Sequence, residues 1–270
     1  MVNATVEGIF NGTIVELFRP PQDNGNGSST GNNGTSPVSS GGSGSSFNSI
    51  ILTDQADTRE GTAKADSIEG LKGDDSINGK GKGDIIFGNK GDDSLLGGDG
   101  NDSLFGNKGL DYLSGGIGEN TLWGGKNNDS LLGGDDEDIL YGNKGNDCLV
   151  GNSGDDCLYG GIENDSLLGD EGNDTLAGDK NRDILTGGGG EDVFIISENT
   201  GGNSTLQADI ITDYDPAQND KIGLIGGLNF DDLDTLPVGN AIVIKLKGEE
   251  NYLAIVEEVN SLGPSDFQTI

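Results

Sequence analysis

The 270-residue chain contains no histidine. This removes the commonest general base, nucleophile partner and zinc ligand, and no Gly-x-Ser-x-Gly elbow occurs, so serine-histidine and metalloprotease chemistries are excluded. Two cysteines, Cys148 and Cys157, are too few for a disulfide framework. Basic residues are scarce. Fifteen Lys and Arg against 47 Asp and Glu leave a net charge of −32, which repels nucleic acid and anionic membranes and makes a cation the expected partner. No apolar run approaches the roughly 20 residues of a membrane span, and Met1 to Phe18 lacks the basic start and apolar core of a secretory signal, so no cleaved N-terminal signal is expected. Aromatic residues make up 5% of the chain against 50 glycines, which leaves little material for a conventional core.

What the chain does have is a nine-residue unit, repeated fifteen times from Gly61 to Ile195 without insertion or deletion. A random acidic chain would not keep such a register. Glycine opens every unit, aspartate holds the sixth place in all but one, where Asn120 stands, and the eighth place is always large and apolar, from Ile68 to Phe194. Each unit reads as a polar turn followed by a three-residue strand with one inward apolar side chain. Such a strand has one greasy face, so a second layer must cover it. Two units per coil supply that layer: odd and even strands form two parallel sheets with the eighth-place residues between them. Third-place lysines support the eighteen-residue period, because Lys72, Lys90, Lys108, Lys126, Lys144 and Lys180 all fall in even units, broken only by Ile162. They read as loop-tip charges that relieve the acidic field; the second reading is a binding face for an acidic polysaccharide, such as one on a cell surface.

The flanks differ from the array. Residues 1–18 read as a short hairpin-like segment turning at Asn11-Gly12, and 19–48 as a flexible linker rich in Gly, Ser and Asn. The roll is expected over 49–195, with Ile50, Ile51 and Leu52 covering its first coil. Residues 196–270 turn to longer strands, Ala208–Tyr214, Lys221–Ile225, Ala241–Leu246 and Tyr252–Val256, which form a small β-rich cap.

Stacked about 5 Å apart, neighbouring sixth-place carboxylates repel by roughly 0.8 kcal/mol even in bulk water. A divalent cation between loops reverses that sign. Calcium, a hard ion taking six to eight carboxylate and carbonyl oxygens in flexible geometry, fits best. Units such as Gly97-Gly98-Asp99-Gly100-Asn101-Asp102-Ser103-Leu104-Phe105 resemble the nonapeptide of the RTX, or haemolysin-type calcium-binding, family. The resemblance implies an all-β fold, a right-handed parallel β-roll of fifteen repeats in 18-residue coils. It also implies multiple calcium ions held by Asp66, Asp75, Asp84, Asp93, Asp102, Asp111, Asp129, Asp138, Asp147, Asp156, Asp165, Asp174, Asp183 and Asp192, with backbone carbonyls completing each shell. Fifteen units leave at most thirteen gaps between loops of the same side. Asn120, and the turn carrying Lys80 and Lys82, depart from the pattern and should lower the count of filled sites.

The tail Asp209-Ile210-Ile211-Thr212-Asp213-Tyr214-Asp215, continued by Asn219-Asp220-Lys221-Ile222, is similar to the segment that ends RTX proteins beyond their arrays. In that family this region carries an uncleaved signal for a type I exporter, so the resemblance implies a secreted, extracellular protein that folds on meeting calcium. No catalytic role is expected, because the regular aspartates are engaged as ligands and neither flank is large enough for a typical catalytic pocket. The two functional readings are a calcium-binding structural or interaction protein and a non-catalytic accessory module of a secreted enzyme system, for example a polysaccharide-processing one. An ice-binding face fits less well, since the third-place column mixes Lys, Asp, Gly and Ile.

Overall fold

The computed structural model describes residues 47–270. The expected N-terminal hairpin, and all but the last two residues of the linker, lie outside the described residues. The chain winds between two sheets, one of eleven strands and one of twelve. Through the repeat, successive strands alternate between the sheets, and each pairs in parallel with the strand eighteen residues away: Leu95 faces Leu113, and Leu104 faces Leu122. This is the all-β parallel roll with 18-residue coils. All fifteen eighth-place side chains, Ile68 to Phe194, are 0–2% exposed and meet between the sheets as one apolar seam.

The strands are longer than the repeat suggests. Ser94–Asp99 and Ser103–Lys108 are typical, running from the seventh place of one unit through the third place of the next. The reason lies in the second place, which carries a left-handed backbone yet stays inside the strand: Gly98 has φ +112°, Asn107 +76° and Gly116 +103°. Register skips the first place at this kink and then resumes, so Asp99 still pairs with Ile117. The lysines expected at loop tips therefore end strands instead. Lys90, Lys108, Lys126 and Lys144 stand in direct cross-strand register on the eleven-stranded sheet.

Fourth places are also left-handed, including where glycine is missing: Lys82, Asn127, Asp136, Glu163 and Asn181 have φ between +71° and +84°. Each such side chain costs about 1 kcal/mol relative to glycine. The turn of Lys80 and Lys82 is otherwise regular, and Lys80 pairs with Glu60 at 2.6 Å.

Both ends continue the coil. At the start, Asn48–Ile51 pairs with Asp66–Glu69, and Thr58–Glu60 with Ser76–Asn78. At the far end Asp209–Ile211 extends the twelve-stranded sheet and Lys221–Leu224 the eleven-stranded one. Tyr252–Val256 adds one more parallel strand beside Asp209–Ile211, Ala241–Leu246 and Leu233–Val238 follow it as an antiparallel meander, and Phe267–Thr269 pairs in parallel with Lys221–Leu224 to close the other sheet. Cys148 and Cys157 lie on opposite sheets as free, half-buried thiols. Among the described residues no helix is long and apolar enough to cross a membrane.

Candidate metal centre

The turn between consecutive strands occupies places four to six and ends on the aspartate. Every sixth-place aspartate is buried, at 0–2% exposure. From Asp75 on, one carboxylate oxygen of each accepts the backbone N–H of the residue eighteen places earlier, an aspartate except at Asn120: Asp84 Oδ1 from Asp66 at 2.7 Å, Asp102 Oδ1 from Asp84 at 2.6 Å, Asp147 Oδ1 from Asp129 at 2.7 Å. Two columns of aspartates thus run the length of the roll, one on each side, each carboxylate hooked to its neighbour's backbone.

The second oxygen has no such partner. In the twelve aspartates of the repeat from Asp75 to Asp183, Oδ2 is buried without a hydrogen-bond donor. The first-place glycines show what surrounds it. A Cβ on Gly124 would stand 2.6 Å from Asp129 Oδ2 and 3.0 Å from the carbonyl oxygen of Gly142 one coil on. Glycine is needed here for this close approach, since φ is not left-handed at the first place. Each gap is therefore a small cradle with acceptor oxygens on its walls.

Asn120 tests what the cradle lacks. Its Oδ1 accepts from Asp102 N–H at 3.0 Å, as an aspartate would, but its Nδ2 replaces the orphan oxygen and donates to the Gly118 carbonyl at 2.6 Å. In this one unit an internal N–H meets the fourth-place carbonyl; in the twelve aspartates from Asp75 to Asp183 the corresponding oxygen finds no donor. Buried acceptors set against acceptors are costly until a donor or a cation joins them.

Electrostatics report the same conflict. Burial pushes the carboxyl groups up, against the pull of the backbone N–H, and neighbouring carboxylates add to the rise. Asp84 reaches about 6 and Asp102 about 7, while Asp129 and Asp165 reach about 9. The residues present fit a cation: anionic oxygen, carbonyl oxygen, and no donor. Among the described residues no three metal-ligating side chains converge on one point, so a cation held here would draw on the sixth-place carboxylates and on backbone carbonyl oxygens together, a donor set that suits calcium.

Two of the expected ligands sit differently. Asp66 Oδ2 already accepts the Thr62 N–H at 2.6 Å, and Asp192 is not among the aspartates with a stranded oxygen. Conversely, the columns run past the repeat. Asp57 N–H donates to Asp75, and Asp209 and Asp220 accept from Asp183 at 3.0 Å and Asp192 at 3.1 Å. Asp209 Oδ2 is stranded as well. A scan at nine-residue spacing passes over Asp209 and Asp220 because they lie 26 and 28 residues on, although Asp209-Ile210-Ile211 and Asp220-Lys221-Ile222 keep the order of an aspartate two residues before an inward apolar side chain.

The family match agrees with this geometry. The RTX calcium-binding nonapeptide repeat (4 copies) matches over residues 53–81, 78–113, 105–140, 114–149, 132–167 and 168–195, together just over half of the chain. Among solved structures, the AlgE6R3 subunit of the Azotobacter vinelandii mannuronan C5-epimerase is similar at 23% identity and a TM-score of 0.33, over 53% of this chain and 78% of that one. No curated protein sequence matches. With its buried aspartate columns and the repeat match across 53–195, the chain belongs to the RTX calcium-binding nonapeptide repeat family.

Proposed function

We propose that calcium ions enter the cradles between successive turns and that the roll of residues 49–195 folds as they do, giving a secreted protein with a structural or interaction role. The observation that carries this reading is the set of buried Oδ2 atoms without donors, from Asp75 to Asp183, nine of the twelve flanking a first-place glycine that also approaches a carbonyl oxygen one coil on. Those aspartates are the side-chain ligands, with Asp66 and Asp192 at the ends of the repeat. Calcium supplies the positive charge that turns stacked, repelling carboxylates into a bridge between coils. One inward side chain per nine residues is a thin core for the backbone entropy it must offset, so binding and folding are linked.

Residues 196–270 cap the open end of the roll and act as the signal for a type I exporter. Extracellular calcium modules bind with dissociation constants of roughly 10⁻⁴ to 10⁻³ M. In a calcium-poor cytosol the chain stays unfolded and thin enough to pass an exporter; outside, calcium folds it and prevents return. Family membership supports this route. Circular dichroism under calcium titration, followed by chelator, tests the reading: β signal rises with calcium and collapses with chelator. Full β signal in excess chelator at neutral pH would refute it.

A further inference from the structure

We infer that the outer face of the eleven-stranded sheet is a docking strip for a linear, anionic polysaccharide, laid along the axis of the roll. Five aromatic rings form its floor. Phe87, Phe105, Trp123, Tyr141 and Tyr159 occupy the ninth place of successive odd units and stack with centroids 4.7, 4.3, 5.8 and 5.1 Å apart and interplanar angles of 2–13°. All five are half-buried and face outward, because the eighth-place residue beside each points into the core.

Three residues further along the same strands runs the lysine row. Lys90, Lys108, Lys126 and Lys144 stand at strand spacing, about 4.8 Å. Among the described residues none of these four has a carboxylate within ion-pair distance, although acidic residues outnumber basic ones three to one. Four ammonium groups in a row without an ion-pair partner repel one another; the carboxylate that lines their groove, Asp54, is paired with Lys72. A groove of about 590 Å³ lies between the two rows at Trp123, Lys126 and Lys144, and a second of about 320 Å³ beside Lys90 and Lys108 shares Asn107 with it. Between the rows, the amide groups of Asn107 and Asn143 are held by the carbonyls of Phe105 and Tyr141 at 3.3 and 3.2 Å.

The opposite sheet is an internal control. Its ninth places carry Leu96, Ser114, Leu132 and Val150, and its third places Asp99, Ile117, Asp135 and Ser153, in identical register. The fold therefore needs neither the rings nor the lysines. They share one face.

The pattern selects the occupant. A cation once per coil asks for an anion at a matching repeat, and one hexuronate unit of an extended chain advances by roughly the strand spacing of ~4.8 Å. The apolar strip accepts the C–H faces of sugar rings, and the asparagines offer hydrogen bonds to hydroxyls. Long-range repulsion falls once the roll is loaded: each divalent ion removes two of the 32 net negative charges, and thirteen, the most the gaps allow, would remove 26. To that extent the inference rests on the proposed calcium loading.

Trp123, the only tryptophan of the chain, sits in the middle of the strip and reports on it directly. The test titrates the calcium-loaded full chain with short oligogalacturonates, with dextran as the neutral probe and with oligo(dT) as the nucleic-acid probe, reading Trp123 fluorescence. Ellipticity in the same samples checks that the roll is folded, so failure of calcium loading is seen separately from failure to bind glycan. The expected result is saturable, salt-sensitive binding of oligogalacturonate alone, weakened at least tenfold in the triple variant K108Q/K126Q/K144Q. The triple variant K221Q/K245Q/K247Q removes the same charge outside the repeat and should bind as the wild type does. No fluorescence change in the folded wild type, equal binding of dextran or oligo(dT), or equal loss in both triple variants would overturn the assignment.

Discussion

Asn120 Nδ2 donates to the Gly118 carbonyl oxygen across 2.6 Å, within a single turn of the roll. The sixth-place side chain and the fourth-place carbonyl are thereby shown to face each other. Substituting Asn120→Asp converts that contact into two opposed acceptors. The metal-free chain should lose about 1–3 kcal/mol of whatever stability it has, whereas the calcium-loaded form should gain a site. Native mass spectrometry at saturating calcium is expected to count one further ion in N120D; an unchanged count would separate the Asn120 position from the cradle.

The cradle also predicts which glycines matter. Gly124→Ala puts a methyl group 2.6 Å from Asp129 Oδ2 and 3.0 Å from the Gly142 carbonyl, with backbone on one side that cannot yield. Gly189→Ala meets nothing closer than 3.8 Å and its φ is not left-handed. Thermal unfolding in calcium should show a loss of at least ~2 kcal/mol for the first and little change for the second. Equal effects would contradict the geometry described for the first place.

Acid should act on the two forms in opposite directions. Burial raises the carboxyl groups of Asp84 and Asp102 to about 6 and 7, and of Asp129 and Asp165 to about 9, above the ordinary carboxylate value of 3.8. A folded metal-free roll thus binds more protons than the unfolded chain. The corresponding stability is fully present below about pH 4 and is lost as pH rises through 6 to 9. In chelator, β signal is expected to increase as pH falls from 8 toward 4. In calcium, protons compete with the ion, so the calcium needed for half-folding should rise over the same fall. Circular dichroism at several pH values checks both trends.

Cys148 and Cys157 should remain free thiols in the calcium-loaded chain, since they lie on facing sheets about 10 Å apart and a disulfide requires Cα atoms within about 7 Å. Burial, with a smaller contribution from Asp147, pushes the Cys148 thiol up to about 11. Alkylation by iodoacetamide should be slow in calcium and fast in chelator; an intramolecular disulfide in the folded monomer would contradict the coil register.

Much of this was legible in the residues. The invariant first-place glycine, the sixth-place aspartate and the eighth-place apolar residue are enough to give two parallel sheets, eighteen residues per coil and the buried seam from Ile68 to Phe194. Strand length was not, because a left-handed second place such as Asn107 usually ends a strand, and here pairing resumes beyond it. The strand Leu233–Val238 was hidden by Pro237, which is tolerated because this strand lies at the edge of its sheet. The stack from Phe87 to Tyr159 emerges only once odd units are laid side by side, since neighbouring units in sequence put their ninth places on opposite sheets. The role of Asn120 needed coordinates: its amide points at a carbonyl two residues back, which the repeat alone does not reveal.

The central claim, that calcium joins the aspartate columns and so folds the roll, is tested most directly by hydrogen exchange of the sixth-place backbone amides. Each donates to the sixth-place side-chain oxygen one coil on, a carboxylate in all but the Asp102–Asn120 pair, as Asp129 does to Asp147 and Asp156 to Asp174. Peptides covering residues 66–192 should be strongly protected in millimolar calcium and should exchange at unfolded-chain rates in excess chelator at neutral pH. Equal protection in both would contradict the account, because it would mean that the carboxylates sustain the columns without an ion.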